Sequence, residues 1–191
     1  FNEKIFALYF KEYIPKTLIT SKIDRVKEFI DHNKTIIVKP LDGMGGTSIH
    51  KIDHISEKNI NLLNEMTNME KTQIICQEFI EDIYEGDYRV LIINGKPFKK
   101  TLARIPQGES FKGNLAAGGS ASTIELNEQD KIIAQTVADK MLDFGLYIVG
   151  LDMIGNFLTE INLTSPTCFR ELNDQADENL AKLFVDELFG H

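Results

Sequence analysis

Only two of the 191 residues are cysteine, Cys76 and Cys168, too few for a disulfide framework, so a reducing cytoplasm is the expected compartment. No apolar run approaches the length of a membrane span, and no charged-then-apolar opening marks a secretory leader. Basic residues are outnumbered: 21 Lys and Arg face 29 Asp and Glu, and the formal charge of -8 argues against nucleic acid as a partner. The histidines His32, His50, His54 and His191 show no metal-binding spacing. Repeats and low-complexity linkers are missing too. What is present is 42% hydrophobic content, enough for a proper core in one sizeable domain or two interlocked lobes.

Two apolar segments late in the chain frame a set of oxygen donors. Residues 146–151 read as a buried strand and residues 157–161 as the next, joined by a tight Ile154-Gly155-Asn156 turn. Asp152 follows the first, and alternation in the second puts Glu160 and Asn162 on one side, able to converge with it. Two carboxylates and an amide offer only oxygen, which suits magnesium or manganese and disfavours zinc. Magnesium held by few protein ligands keeps its other positions for water and nucleotide phosphates, so a phosphate grip is expected elsewhere.

Residues 35–52 supply one. The run Thr35-Ile36-Ile37-Val38 leads through Lys39-Pro40 into Leu41-Asp42-Gly43-Met44-Gly45-Gly46-Thr47-Ser48, before an alternating pattern resumes at Ile49. The glycines bring bare backbone amides close to an anion, and Lys39 adds a charge at the root of the loop. A Walker loop is excluded, because no Gly-Lys-Ser/Thr follows and the next segment reads as a strand; a dinucleotide fingerprint fails for the same reason. Each signal alone is common in chains without nucleotide chemistry. Metal chemistry on one and phosphate chemistry on the other point the same way.

The remainder reads as scaffold. Ser21 is placed to cap a helix through Asn33 with Ile23, Val26, Phe29 and Ile30 inward, and Ser56 to begin another with Ile60, Leu63 and Met66 inward. Residues 88–93 and 97–104 form a hairpin about Asn94-Gly95. Asn127 caps a long amphipathic helix ending before Gly145, and residues 177–189 read as a closing helix. Strands, helices and antiparallel hairpins together give an α+β architecture.

Four long motifs in order carry a family resemblance: Lys39-Pro40-Leu41-Asp42-Gly43-Met44-Gly45-Gly46, Leu102-Ala103-Arg104-Ile105-Pro106-Gln107-Gly108, Gly113-Asn114-Leu115-Ala116-Ala117-Gly118-Gly119 and Thr159-Glu160-Ile161-Asn162-Leu163-Thr164-Ser165-Pro166-Thr167. With them the chain, from Asn2 to near its C-terminus, resembles the prokaryotic glutathione synthetases, which are ATP-grasp ligases. The resemblance implies an ATP-grasp domain over residues 1–191, its two α+β lobes, about residues 15–80 and 81–191, clasping nucleotide with mainly antiparallel sheets. It further implies ADP-forming ligation of γ-glutamylcysteine to glycine through an acylphosphate.

The same resemblance assigns roles. Asp152, Glu160 and Asn162 bind two magnesium (or manganese) ions that bridge the phosphates of ATP; Lys4 and Lys39 contact the inner phosphates, and the backbone of Gly45, Gly46, Thr47 and Ser48 covers the phosphate tail. Arg89 and Arg104 are the catalytic pair, permanently charged and fork-shaped where negative charge develops. Gln77, Glu78, Phe79 and Ile80 lie against adenine, with backbone groups of Glu78 and Ile80 pairing the base, and Asp87 serves the ribose. Residues 105–121, with Lys112 and Asn114 among their glycines, form a closing loop expected to be mobile without ligands. Glycine recognition stays open between Ser165 and Thr167 on one hand and plain turn chemistry on the other.

Family members carry a further N-terminal α/β domain that helps bind the peptide and often builds a subunit interface, so a chain starting at Phe1 is expected to be a C-terminal fragment of a homo-oligomer. Two other readings stand beside this one: a different ATP-grasp carboxylate-amine ligase, and a non-catalytic ATP-binding module. The first is not expected to share the Leu102 and Gly113 motifs, and the second is expected to have lost a metal ligand or an arginine.

Overall fold

The computed structural model describes residues 2–43, 48–108, 110–113, 120–176 and 178–190. Gly45, Gly46 and Thr47 of the expected phosphate loop, and Asn114 of the expected closing loop, lie outside the described residues. The chain forms two compact units: Ile14–Glu81 with Asn2, and Glu3–Tyr13 with the chain from Asp82 onward. A four-residue helix α1 (Glu3–Phe6), continued by a 3-10 turn Ala7–Phe10, opens the second of these.

The smaller unit contains β1 (Thr17–Thr20), α2 (Ile23–Asn33), β2 (Ile36–Pro40), β3 (His50–Ile52), α3 (Glu57–Met66) and β4 (Ile74–Glu78). Its antiparallel sheet runs β1-β4-β2-β3, and alternation puts Ile36, Val38, Ile74 and Cys76 on one face. That face packs with Ile23, Val26 and Ile30 of α2 and Leu63 of α3 into a dry cluster. Burial pushes the Cys76 thiol up to about 12, so it behaves as a small apolar residue.

Ser56 caps α3 as its position suggests, accepting from the Asn59 amide at 3.2 Å. Ser21 does not cap α2. Lys22 occupies the cap position without a side-chain capping bond, and the carboxylate of Glu70 accepts from the Ile23 amide at 2.9 Å instead. Glu70 is delivered there by three consecutive left-handed residues, Asn68, Met69 and Glu70, with φ of 46°, 54° and 64°. A cap supplied from 47 positions away leaves no local signature for a sequence pattern to find.

The larger unit is built on β5 (Asp87–Ile93), β6 (Lys96–Pro97), β7 (Lys100–Ile105), β8 (Ser120–Glu125), β9 (Ile148–Ile154) and β10 (Phe157–Asn162), with α4 (Glu128–Asp143), α5 (Phe169–Ala176) and α6 (Leu180–Phe189). The sheet order is β10-β9-β5-β7-β8, all antiparallel, with β6 pairing β5 at the Asn94-Gly95 turn, where both residues have positive φ. One face carries Leu91, Ile93 and Leu102 beneath Leu172, Ala176 and Leu180 of α5 and α6; α4 packs against β5 and β9. The closing helix α6 begins at Leu180, with Asn179 accepting from the Lys182 amide at 2.9 Å; the expected start, Asp177, lies outside the described residues.

Asn127 caps α4 in a reciprocal way: its side-chain oxygen accepts from the Asp130 amide and its side-chain nitrogen donates to Asp130 Oδ2, both at 2.8 Å. Asp130 is 2% exposed, and among the described residues its Oδ1 has no hydrogen-bond partner. Burial pushes its carboxyl up to about 6, against the lowering effect of Asn127. A carboxyl whose folded value lies above its unfolded value of about 3.9 stabilises the fold below that pH, and the contribution is lost as pH rises through the folded value. Asp130→Asn is therefore expected to raise the urea midpoint at neutral pH and to flatten the decline of stability between about pH 4 and pH 7. An unchanged slope would show that Asp130 is not its source.

Candidate active site

Strand alternation puts the charged residues of the larger sheet on the face that carries Leu91 and Leu102. In β5, Leu91, Arg89 and Asp87 alternate onto it; in β7, Leu102 and Arg104; in β9, Gly150 and Asp152. The register then sets Arg89 opposite Asp152, and Asp87 opposite Arg104. On the other side of β9, Glu160 faces Asp152 and Asn162 faces Gly150. The pairing depends on an irregularity between Leu158 and Glu160. A regular ladder from the Phe157–Ile154 pair would set Thr159 opposite Asp152 and turn Glu160 to the other face. The extra residue, Thr159, instead bonds the Asp152 carbonyl through its hydroxyl at 3.0 Å.

Asp152 is the hub. Arg89 grips it with two bonds, Nε to Oδ1 at 2.6 Å and Nη2 to Oδ2 at 3.1 Å. Arg104 Nη2 lies 2.9 Å from Asp152 Oδ1 and 2.6 Å from Asp87 Oδ2. These Arg104 contacts are charge contacts without hydrogen-bond geometry: among the described residues Arg104 Nη2 and Asp87 Oδ1 have no hydrogen-bond partner. Burial alone would raise the Asp152 carboxyl, but the adjacent Arg104 and Arg89 outweigh it and hold the group ionised, well below the usual carboxylate range. Asp87 is shifted the other way, since burial and the neighbouring Asp152 charge exceed what Arg104 and Arg89 return. Both guanidiniums are raised: burial opposes their charge, and Asp152 more than restores it.

Two further groups complete the face. Lys4 Nζ is 3.8 Å from Glu160 Oε1, with Lys4 buried, and the Asn162 side chain donates to the Gly150 carbonyl at 3.2 Å. Three carboxylates, Asp87, Asp152 and Glu160, are thus matched by three protein cations, Arg89, Arg104 and Lys4. The expected metal donors fit a hard cation in chemistry and in register: Asp152 and Glu160 are opposite one another, and Asn162 follows Glu160 two residues on, on the same face of β10. Among the described residues no three His, Cys, Asp or Glu gather as a metal centre. Because the protein's own cations already balance the carboxylates, a dication alone gains little here. A dication arriving with a polyphosphate brings its own counter-charge.

Sequence reasoning overlooked the supports of Arg89. Thr167 accepts from Arg89 Nη1 at its hydroxyl, 3.1 Å, and at its carbonyl, 3.4 Å. Thr167 is held in a turn flanked by Ser165 and Cys168, non-glycine residues at φ of 48° and 81°. Gly150 lets the arginine stem lie flat, since a Cβ there would stand 2.9 Å from Pro166 Cβ and 3.3 Å from Arg89 Cδ. Gly113 likewise allows its backbone to sit on Arg104 and Asp87, a Cβ there meeting the Arg104 carbonyl oxygen at 2.5 Å. Thr167 and Gly113 sit in the motifs quoted above, whereas Gly150 sits in none of them.

The candidates of the smaller unit fall on its own sheet. Lys39 and Gln77 are buried on the face opposite the helices, as the pairs Lys39–Ile75 and Ile37–Gln77 require, and Gln77 Nε2 donates to Thr17 Oγ1 at 3.2 Å. Glu78 pairs with Lys16 at 3.4 Å, its amide donates to the Lys16 carbonyl at 2.9 Å, and the Phe79 amide donates to Thr35 at 3.1 Å. Lys51 Nζ stands 3.7 Å over the Phe79 ring. Ile80 is half-buried, and Ser48 has a φ of 56°.

The family model for the prokaryotic glutathione synthetase ATP-grasp domain matches residues 3–177. The chain belongs to this family. It is 45% identical over 188 residues to the glutathione synthetase of Xylella fastidiosa strain Temecula1 and 42% to that of Vibrio parahaemolyticus, in each case over 98% of the chain. It spans 60% and 59% of the length of these two relatives. Among solved structures, the ATP-grasp ligase PsnB, complexed with a phosphomimetic variant of its minimal precursor, Mg and ADP, matches 98% of the chain and 58% of its own, with a TM-score of 0.68 at 19% identity. That likeness establishes the ATP-grasp fold, α+β with antiparallel sheets, as the motifs lead one to expect.

Because a glutathione synthetase ATP-grasp domain with Cβ atoms at position 150 cannot keep both Pro166 and Arg89 where they are, Gly150→Ala is expected to lower stability by about 1–3 kcal/mol. Urea unfolding measures this, and a loss below about 0.5 kcal/mol would mean that the turn yields freely.

Proposed function

We propose that this chain carries the nucleotide- and metal-binding machinery of an ADP-forming ligase that joins γ-glutamylcysteine to glycine, making glutathione. One observation carries the reading: a buried Asp152 is shared by Arg89 and Arg104 and faces Glu160 across β9 and β10, and Arg104 and Glu160 lie in the motifs quoted above. In the proposed reaction a carboxylate oxygen of γ-glutamylcysteine attacks the terminal phosphorus of ATP, and the bond to ADP breaks. The glycine amine then attacks the acyl carbon, loses a proton, and phosphate leaves.

Asp152, Glu160 and Asn162 are the proposed holders of two magnesium or manganese ions; when bound, these would neutralise charge on the phosphates. Lys4 and Lys39 are the proposed phosphate contacts, together with the backbone of residues 45–48. Arg89 and Arg104 are proposed to stabilise the transferring phosphoryl group and the tetrahedral oxygen, each held rigid by a carboxylate so that little reorganisation is needed. Gln77, Glu78, Phe79 and Ile80 are the proposed adenine contacts. As the Glu78 and Phe79 amides are already spent, hydrogen bonds to the base fall to Ile80 and to carbonyl oxygens. Among the described residues Asp87 Oδ1 has no hydrogen-bond partner, and it is proposed to take a ribose hydroxyl; Asn114 is a further proposed contact. The protein is proposed to work in the cytoplasm, in keeping with two free buried cysteines, and the full protein as a homo-oligomer.

In the full-length protein, ADP release is expected only with γ-glutamylcysteine, glycine and magnesium all present, and Asp152→Asn or Arg104→Ala is expected to lower kcat by about 10²-fold or more. Calorimetric titration is expected to show magnesium and ATP each binding far more tightly with the other. ADP release that ignores γ-glutamylcysteine but follows another carboxylate substrate would assign a different ligase, and binding without turnover would assign the non-catalytic module.

A further inference from the structure

A four-residue helix cannot hold its own position, because it forms almost no internal hydrogen bonds. Yet α1 carries Lys4, buried, with its ammonium 3.8 Å from Glu160. The residue before it supplies a tether. Glu3 Oε1 accepts from the Leu163 amide at 2.9 Å, the Thr164 amide at 3.1 Å and the Thr164 hydroxyl at 3.1 Å. Two successive amides and a hydroxyl converging on one carboxylate oxygen form a small anion nest, and the left-handed Ser165 follows directly, with φ of 48°. The nest begins one residue after Asn162, so the strand that presents Glu160 and Asn162 also grips Glu3. Phe6 buries the other end of α1 and stacks edge-on against Phe144, 5.5 Å between ring centres.

We propose that Glu3 is a positioning residue: gripped by the amides that follow β10, its carboxylate fixes the neighbouring Lys4 ammonium beside Glu160. Fixed there, Lys4 is tied to the strand that carries Glu160 and Asn162. This rests on the reading of Lys4 as a phosphate contact. It assigns Glu3 to the ATP phosphates and to neither the peptide nor glycine. Glu3→Gln keeps an acceptor oxygen for the nest, whereas Glu3→Ala removes it.

Two measurements on the full-length protein test the proposal. Lys4 acetylation by acetic anhydride, followed by peptide mass spectrometry without nucleotide, is expected to quicken about threefold or more in Glu3→Ala and to stay near the natural rate in Glu3→Gln. Glu3→Ala is also expected to raise KM for ATP about tenfold with KM for glycine unmoved, and the Glu3→Ala/Lys4→Ala pair to be no worse than Lys4→Ala alone. An unchanged acetylation rate in Glu3→Ala, or additive losses in the pair, would overturn the role of Glu3. Faster acetylation in a protein that binds no ATP would leave the tether standing and remove the nucleotide reading instead.

Discussion

Two buried guanidiniums share the carboxylate of Asp152, and the charged half of the larger sheet is arranged around that contact. A carboxylate as enclosed as this one cannot stay ionised without compensation, and two fixed charges within 3 Å provide it. Removing either arginine would leave an unbalanced charge in a dry place, a loss of about 3–5 kcal/mol for comparable buried pairs. The contact also works in reverse. Arg89 and Arg104 are held in one orientation by carboxylates on neighbouring strands, the preorganisation that the proposed phosphoryl transfer would use.

Keeping the arginines in place shapes the surrounding chain. One sheet face divides into an apolar end, where Leu91 and Leu102 lie beneath α5 and α6, and a polar end two residues further along each strand. Glycine at 150 and 113 lets an arginine stem and a loop backbone lie against the sheet without a Cβ between them. The turn at residues 165–168 accepts left-handed backbone at Ser165 and Cys168 to deliver Thr167 to Arg89. Strain of about 1–3 kcal/mol per such residue persists only where packing and hydrogen bonds outweigh it.

Much of this was legible. The β-branched run before the glycine-rich loop became β2, the caps Ser56 and Asn127 were read correctly, and the Asn94-Gly95 turn sits where its dipeptide puts it. What escaped were elements whose signals are weak or distant. The edge strands β1 and β8 are half polar and show no clear period, and α5 is a helix of only eight residues that buries Leu172 and Ala176. Glu70 caps α2 from another turn altogether, and a local cap at Ser21 was the wrong expectation for that reason. In the site, the residue types were visible, but the partners of Arg89, Arg104 and Lys4 were not.

The sequence by itself determined which chemistry is available: all-oxygen donors at Asp152, Glu160 and Asn162, permanent cations at Arg89 and Arg104, a glycine-rich stretch after Lys39, and a hydrophobic pattern that sorts into two α+β units. Those follow from side-chain identity and from periods of a few residues. Only the tertiary structure decided that Glu160 stands opposite Asp152. In a regular hairpin closed by Gly155-Asn156, Glu160 would face away from Asp152, and the single extra residue at Thr159 turns it back. Period-two alternation makes such a slip all-or-none, and an inserted residue leaves no mark in composition, so pairing across strands has to be seen in the fold.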